Sequence, residues 1–227
     1  MITKPILLSQ DIIERATRLN TTLISDALGC TGSMDYKVKP VVEGMKVVGT
    51  ALTIDLKEGD NLFLHQGIYL GGPGYVLVAD GKGYTQNAYL GELMASAARA
   101  MGIEGIVIDG LVRDKQMLTE MGFPVFAKGF IPNGPFKNGP GDINIPISCA
   151  GVTVYPGDLI IGDDDGVVVV PKDKIENVLV KAEEKLKYEE KRLQTILNYE
   201  NKREKEDLDN ISIAPEWLED KIKEFGF

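Results

Sequence analysis

The sequence predicts a layered α/β or β/β/α domain followed by a charged helical arm, and three observations carry that reading. First, the runs YVLVAD, GIVIDG, DLIIG and VVVVP are apolar at nearly every position, are entered through Gly or Pro turns, and exit through Gly and Asp. Strands of that kind are covered on both faces, which requires layers. Second, a helix of small residues, GELMASAARAMG, precedes one of these runs. Third, the composition changes abruptly after Lys172 to a Glu/Lys-dense segment. With 227 residues, 44% hydrophobic and 26% charged, the chain has the make-up of one globular domain with an appendage. The expected division is a catalytic domain over residues 1–172 and an arm over 173–227 that packs on the domain or on a neighbouring subunit.

Taken in order, DIIERATRLNTTLISDAL (Asp11 to Leu28) has apolar residues at helical spacing broken at Asn20-Thr21-Thr22. That pattern predicts two short helices with a polar cap between them. Lys46 to Leu56 is rich in β-branched residues between turn signals and predicts a strand. Asp60 is expected to cap a short helix containing Leu62, Leu64 and His65. In the helix after Gly91, Leu93, Ala97, Ala98 and Met101 are expected to share the packed face. The Gly- and Pro-rich stretch from Gly122 to Val154 predicts short mixed strands without crossover helices. Beyond Lys172, Ile175, Val178, Leu179, Ala182, Leu186, Leu193, Ile196 and Leu197 mark a long amphipathic helix. A shorter element follows Pro215, with Trp217, Leu218, Ile222 and Phe225 as docking residues.

Several function classes are disfavoured. The opening MITKPILL lacks the apolar core of a signal peptide, and no run reaches membrane-spanning length, so a cytoplasmic protein without a membrane partner is expected. Cys30 and Cys149 are expected as reduced, packed thiols. A net charge of −9 opposes nucleic-acid binding, which depends on clustered Lys and Arg. It leaves open a protein partner or a small anion held at a local positive site. No phosphate-binding loop or dinucleotide fingerprint is present.

The stretch GELMASAARAMGIEGIVIDGLVRD (Gly91 to Asp114) holds the candidate chemistry. The first amides of a helix are unpaired donors with partial positive charge, so Gly91, Glu92, Leu93 and Met94 are placed to hold a carboxylate or phosphate, or else Gly91 is an ordinary cap. The strand GIVIDG then delivers Arg113 and Asp114 just past its end, where ligands of α/β sheets sit. Arg113 offers a fork for a carboxylate and Asp114 a hard oxygen for magnesium. The alternative is a surface salt bridge.

This stretch, with FPVFAKG, GPFKNGPGDINIPISCAGVTVYPGD and IIGDDDGVVVVP after it, resembles the 4-hydroxy-4-methyl-2-oxoglutarate / 4-carboxy-4-hydroxy-2-oxoadipate aldolase family. That family shares its fold with the regulators of ribonuclease activity A, and its members are often mislabelled demethylmenaquinone methyltransferases. The likeness covers most of Lys46 to Pro171 and fits the helical arm. It rests on an acid, twenty intervening residues and Arg-Asp, here Glu92 and Arg113-Asp114. The resemblance implies a β/β/α swivelling-type fold and a homotrimer or homohexamer with sites near subunit interfaces. It implies a class II pyruvate aldolase, a lyase using Mg2+ or Mn2+ on a small 2-oxo acid, with an oxaloacetate decarboxylase side activity. Asp114 would hold the metal, Arg113 the pyruvyl carboxylate or keto oxygen, and the amides of Gly91, Glu92, Leu93 and Met94 the rest of the anion. Glu92 would orient Arg113 or a water on the metal. The chemistry is coherent, because cleaving a carbon–carbon bond beside a 2-oxo acid leaves an enolate that needs positive charge where it develops.

One departure is Met117, where many members carry Glu or Asp; Glu120 is the candidate substitute. His65 is expected to be structural, and Lys82 and Lys115 lack the apolar setting of a Schiff-base lysine. GDDDG (Gly162 to Gly166), Asp80 and Asp109 are read as turn residues. The rival function is a non-enzymatic, ribonuclease-regulator-like binding module. Glu92 favours the enzyme.

Overall fold

The computed structural model describes residues 3–204 and 213–226; residues 1–2, 205–212 and 227, which belong to the ends of the predicted domain and to the predicted arm, lie outside the described residues. Two compact units divide the chain between Ala182 and Glu183.

In the first unit, helices α1 (Gln10–Thr17) and α2 (Thr21–Ala27) lead into β1 (Lys39–Pro40), β2 (Val47–Leu56), α3 (Leu62–Leu70) and β3 (Tyr75–Leu90). Then come α4 (Glu92–Ala100), β4 (Gly105–Val112), α5 (Lys115–Met121), β5 (Val125–Ala127) and β6 (Gly129–Phe130). The last strands are β7 (Gly141–Ile143), β8 (Ile147–Cys149), β9 (Val152–Val154), β10 (Leu159–Asp163) and β11 (Gly166–Val170). A nine-stranded sheet runs β1-β5-β4-β3-β2-β10-β11, with β6 on β4 and β7 on β2, and β8-β9 forms a separate hairpin. The β2, β3, β4 and β5 neighbours are parallel, whereas β10 is antiparallel to β2 and β11 to β10.

The continuous apolar runs are explained by two cores. Strand side chains alternate between faces. Leu77, Ala79, Ile106 and Ile108 therefore point to the core that holds Leu64 and Ile68 of α3, Met94, Ala95 and Ala98 of α4, and Leu118 of α5. Val76, Val78 and Val107 point to the other core, with Ile147, Cys149 and Val154 of the β8-β9 hairpin and Ile160, Val167 and Val169 of β10 and β11. Helices, parallel sheet and a second β layer make the β/β/α stack.

Several expectations need correction. The packed face of α4 is Met94, Ala95 and Ala98, while Leu93 is 83% exposed. The DGKG segment is an irregularity inside β3, not its end. Lys82 has φ 59° between two glycines, and pairing with β4 resumes after register shifts up to Leu90. Asp80 caps a turn as expected, its Oδ1 accepting from the Lys82 N–H at 2.9 Å, whereas Asp109 is a strand residue ion-paired to Lys128 that accepts from the distant Ala150 N–H. The Gly122 to Val154 stretch holds short strands and no helix, as expected; the crossover between the parallel neighbours β4 and β5 is made just before it, by α5. Both cysteines are free, as expected, but Cys30 is exposed and only Cys149 is buried. The GDDDG turn is a turn: Asp163 accepts from the Thr21 N–H and hydroxyl, and Asp164 accepts from the Gly44 N–H.

Asp60 pins the start of α3, though the N-cap position itself is Asn61. Its buried carboxylate accepts from the backbone amides of Leu62, Asn138 and Gly139, tying the helix to the loop before β7. Burial pushes its pKa up, but those amides and the Lys57 charge outweigh it and hold the carboxyl below its ordinary value. Asp60→Ala should thus lower stability by roughly 3 kcal/mol at neutral pH, since three amide donors, that of Gly139 buried, lose a charged acceptor. A depressed pKa contributes stability above the unfolded pKa and loses it as pH falls through the folded one. Urea unfolding of the two proteins should therefore differ by a constant amount down to about pH 5 and converge below it.

The second unit holds the described part of the arm. Helix α6 (Ile175–Glu204) begins in the first unit, where Ile175, Val178, Leu179 and Ala182 are buried, and continues into the second. There α7 (Glu216–Lys223) lies against it, with Trp217 Nε1 donating to the Tyr188 hydroxyl at 3.3 Å. No described helix is long and apolar enough to cross a membrane.

Candidate active site

The C-terminal end of the parallel strands is where the site forms. Tyr89 is its foundation. Its ring is fully buried, and its hydroxyl donates to the Gly81 carbonyl at 2.7 Å and accepts from the Gly59 N–H at 3.0 Å. Burial pushes the phenol pKa up to about 12, so the ring stays neutral. Cβ atoms at Gly81 or Gly110 would fall 2.7 Å and 2.6 Å from the ring, which is why small residues flank it.

Strands β3 and β4 end side by side at Leu90 and Val112, and the Arg113 N–H donates to the Leu90 carbonyl at 2.9 Å. Asp114 then adopts a left-handed conformation, φ 61° and ψ 44°, and begins α5 without capping it. A non-glycine residue there is strained, typically by about 1 kcal/mol. The strain aims the carboxylate at the neighbouring helix: Oδ2 accepts from the Glu92 N–H, the first of α4, at 2.9 Å. Asp114 thus caps α4 in place of Gly91, which has no side chain to do so. Arg113 Nε lies 3.7 Å from the same oxygen, with the two side chains 43% and 39% exposed. An ion pair that long and that exposed adds little stability, so the geometry favours a binding role over a structural one.

Gly91, Glu92, Leu93, Met94, Arg113 and Asp114 line one open cleft of about 690 Å³. The amides of Leu93 and Met94, second and third in α4, have no acceptor among the described residues, as expected of a helix start. The Glu92 amide is already engaged by Asp114. The Glu92 carboxylate forms no ion pair among the described residues. Three basic residues, Arg113, Lys115 and Lys137, face the two acids Glu92 and Asp114 along this cleft. A locally positive cleft in a chain of net charge −9 is suited to an anion.

The remaining candidates sort clearly. Sequence reasoning missed Asn61 and Lys137, and read His65 as structural, yet all three line the cleft. Burial and then the Lys137 charge lower the His65 pKa, so the imidazole is neutral at pH 7. The available signal was the placement of Asn61 one turn before His65 at a helix start; the loop GPFKNGPG carried none for Lys137. Met117 lines the cleft, whereas Glu120 bonds Gln116 and does not, so it fails as a substitute acid. Lys82 is paired to Asp55 and Asp80, which raises its pKa after the opposing effect of burial and suits no Schiff-base role. The Lys115 ammonium lies over the Phe130 ring at 5.4 Å.

The donor set decides which metal the cleft suits. No group of three His, Cys, Asp or Glu side chains among the described residues forms a cage. Asp114 Oδ1 has no partner among them, and Glu92 stands beside it. One or two carboxylates fit a hard ion that keeps most of its waters, as Mg2+ does, and would not fit zinc or calcium.

Known proteins share both this fold and this sequence. The family description "RraA-like: Aldolase/RraA" matches residues 21–169. A protein of Halalkalibacterium halodurans named "Putative 4-hydroxy-4-methyl-2-oxoglutarate aldolase" is 42% identical over 186 residues, 82% of this chain and 89% of its own. An uncharacterized Pseudomonas syringae protein of known structure aligns with TM-score 0.77 at 26% identity, covering 87% of this chain and 93% of that one. The RNA-processing inhibitor RraA from Thermus thermophilis aligns with TM-score 0.62 at 30% identity, covering 67% and 92%. The match spans α2 through β11, which includes Tyr89, the Gly91 to Met94 helix start and the Arg113-Asp114 strand end, so by fold, sequence and extent the chain belongs to the RraA-like, Aldolase/RraA family.

Proposed function

We propose that this chain is a divalent-metal-dependent pyruvate aldolase. It cleaves 4-hydroxy-4-methyl-2-oxoglutarate or 4-carboxy-4-hydroxy-2-oxoadipate to pyruvate and a second 2-oxo acid, and decarboxylates oxaloacetate as a side activity. The observation that carries this reading is the convergence of Arg113, the Asp114 carboxylate and the open α4 amides in one cleft. The aldolase name of the Halalkalibacterium relative supports it.

The amides of Leu93 and Met94 receive the pyruvyl carboxylate, and Arg113 faces the 2-keto oxygen. Asp114 holds Mg2+ or Mn2+, which when bound supplies Lewis-acid polarisation of that keto group. Breaking the C3–C4 bond sends its electron pair to the pyruvyl half as an enolate while the C4 hydroxyl gives up its proton to a water in the cleft, and return of a proton to C3 of the enolate then yields pyruvate. Arg113 is a fixed positive charge at the enolate oxygen, where charge appears only in the transition state. The Glu92 carboxylate, which forms no ion pair among the described residues, orients a water in the cleft rather than Arg113, whose partner is Asp114. Loss of carbon dioxide from oxaloacetate yields the same enolate, so one site serves both reactions.

Coupled detection of pyruvate on purified protein tests the assignment. Release from at least one of the two hydroxy acids should require Mg2+ or Mn2+ and stop on chelation, with oxaloacetate decarboxylated under the same conditions. Absence of turnover with every divalent metal would favour the rival reading, a binding module like the Thermus inhibitor it resembles.

The aldolase is proposed to act as a homotrimer or homohexamer. Leu93 at the cleft wall and Phe136 in the adjoining loop are 83% and 59% exposed, large apolar side chains that a subunit contact covers. In the arm, Leu193, Trp217 and Phe225 are likewise exposed. Light scattering coupled to gel filtration should give a closed oligomer, weakened by truncation before Asn210. A fully active monomer would overturn the interface.

A further inference from the structure

The Asn61 side chain carries an acceptor that no group among the described residues satisfies. As N-cap residue of α3 it makes no capping bond, because the neighbouring Asp60 already accepts from the Leu62 N–H. Its amide instead reaches to the end of β3 and the start of α4: Nδ2 donates to the Tyr89 carbonyl at 2.9 Å and to Met94 Sδ at 3.0 Å. A carbonyl oxygen can only accept, so the Tyr89 contact fixes which end of the amide is nitrogen. Oδ1, on the other side, has no partner, and Asn61 is only 2% exposed. Leaving such a group unpaired costs about 1–3 kcal/mol. Asn61 lines the same cleft as Arg113 and Asp114.

We propose that Asn61 Oδ1 accepts a hydrogen bond from the C4 hydroxyl of the bound 4-hydroxy-2-oxo acid and so makes Asn61 the residue that selects hydroxylated substrates. This rests on the aldolase reading above. Carboxylates and keto groups only accept, and the C4 hydroxyl is the one donor these substrates carry at neutral pH. An analogue without it leaves Oδ1 buried and unpaired, the situation in which a site discriminates most strongly. Met94, which also lines the cleft and is 8% exposed, packs on the Nδ2 end of the amide; its unbranched thioether changes rotamer readily, so the amide can shift as the ligand enters and present Oδ1 to it. The hydroxyl proton has to leave this bond before C3–C4 breaks. The contact therefore belongs to ground-state binding, and what it controls is the affinity for the hydroxylated acid relative to its deoxy analogue rather than the rate of the chemical step.

The test uses the full-length protein with Mg2+, the substrate 4-hydroxy-4-methyl-2-oxoglutarate and its deoxy analogue 4-methyl-2-oxoglutarate as inhibitor. In the wild type, the inhibitor's Ki should exceed the substrate's KM by about tenfold or more. In Asn61→Ala, whose kcat also reflects the lost bonds to Tyr89 and Met94, the substrate's KM should rise until it matches the inhibitor's Ki, closing the wild-type gap. Equal Ki and KM in the wild type, or a variant that keeps the wild-type gap between them, overturns the assignment and leaves the aldolase intact. The wild-type comparison holds even where the variant fails to fold. If no hydroxy acid releases pyruvate, calorimetric affinities replace the kinetic constants. Tighter binding of the hydroxylated acid then keeps the Asn61 assignment and removes the aldolase, and binding of neither acid removes both.

Discussion

Asp114→Asn is expected to abolish pyruvate release and metal binding together while leaving the fold at nearly wild-type stability. Asparagine tolerates the left-handed conformation and keeps an oxygen for the Glu92 N–H, so the cap on α4 and the turn into α5 survive. What disappears is the negative charge, and with it the carboxylate proposed to hold a divalent ion. Asp114→Ala removes charge and cap at once and is the less informative variant. Arg113→Ala should behave differently. Its guanidinium faces charge that develops in the transition state, so kcat should fall roughly 10²–10³-fold, as when one oxyanion donor is removed, with metal affinity largely kept. Calorimetric Mn2+ titration of both variants separates the roles. Undiminished affinity in Asp114→Asn refutes Asp114 as ligand, and metal loss in Arg113→Ala refutes the division of labour.

The layers were legible in the sequence because they rest on burial alone. A strand such as YVLVA has to hide both faces, and the two cores on either side of the parallel sheet are the direct result. The positions of Arg113 and Asp114 were legible for a related reason: an aliphatic run that stops at two charges stops at the sheet edge. Side-chain direction was harder. Leu93 reads as a packed residue by spacing, yet the start of α4 is turned so that Met94 packs and Leu93 faces outward. Burial of α4 beside α3 and α5 decides that rotation, and helical periodicity over nine residues fits either face. Asn61 and Lys137 come from segments separated from Asp114 by 53 and 23 residues, and only the folded sheet edge brings them together. The Asp60 carboxylate makes that possible by tying α3 to the 138–139 loop, a contact between residues with no local pattern in common.

Gly91→Ala should cost activity far more than stability. The backbone there, φ −143° and ψ −169°, is extended and open to any residue, so glycine is not needed for its conformational freedom. It is needed for space. A Cβ at position 91 would lie 2.3 Å from Asp114 Oδ2 and 3.0 Å and 3.1 Å from Arg113 Cγ and Nε. The half-exposed side chains can retreat, which spares the fold, but only by moving the carboxylate and the guanidinium out of their shared position over α4. Alanine also caps a helix less well than glycine, a loss of roughly 0.5–1 kcal/mol. A misplacement near 1 Å is enough to lower kcat/KM about 10²-fold, so the expected variant is folded and nearly inactive. Gly122→Ala is the converse. Its φ of 65° strains any side chain, but an added Cβ meets nothing within 4 Å. That variant should lose about 1 kcal/mol of stability and keep its turnover. Pyruvate kinetics and urea unfolding on the two proteins give the comparison. If Gly91→Ala retained full activity, the close approach of Asp114 to the start of α4 would not be part of the working site. If both variants lost activity in proportion to stability, the effect would be one of folding alone.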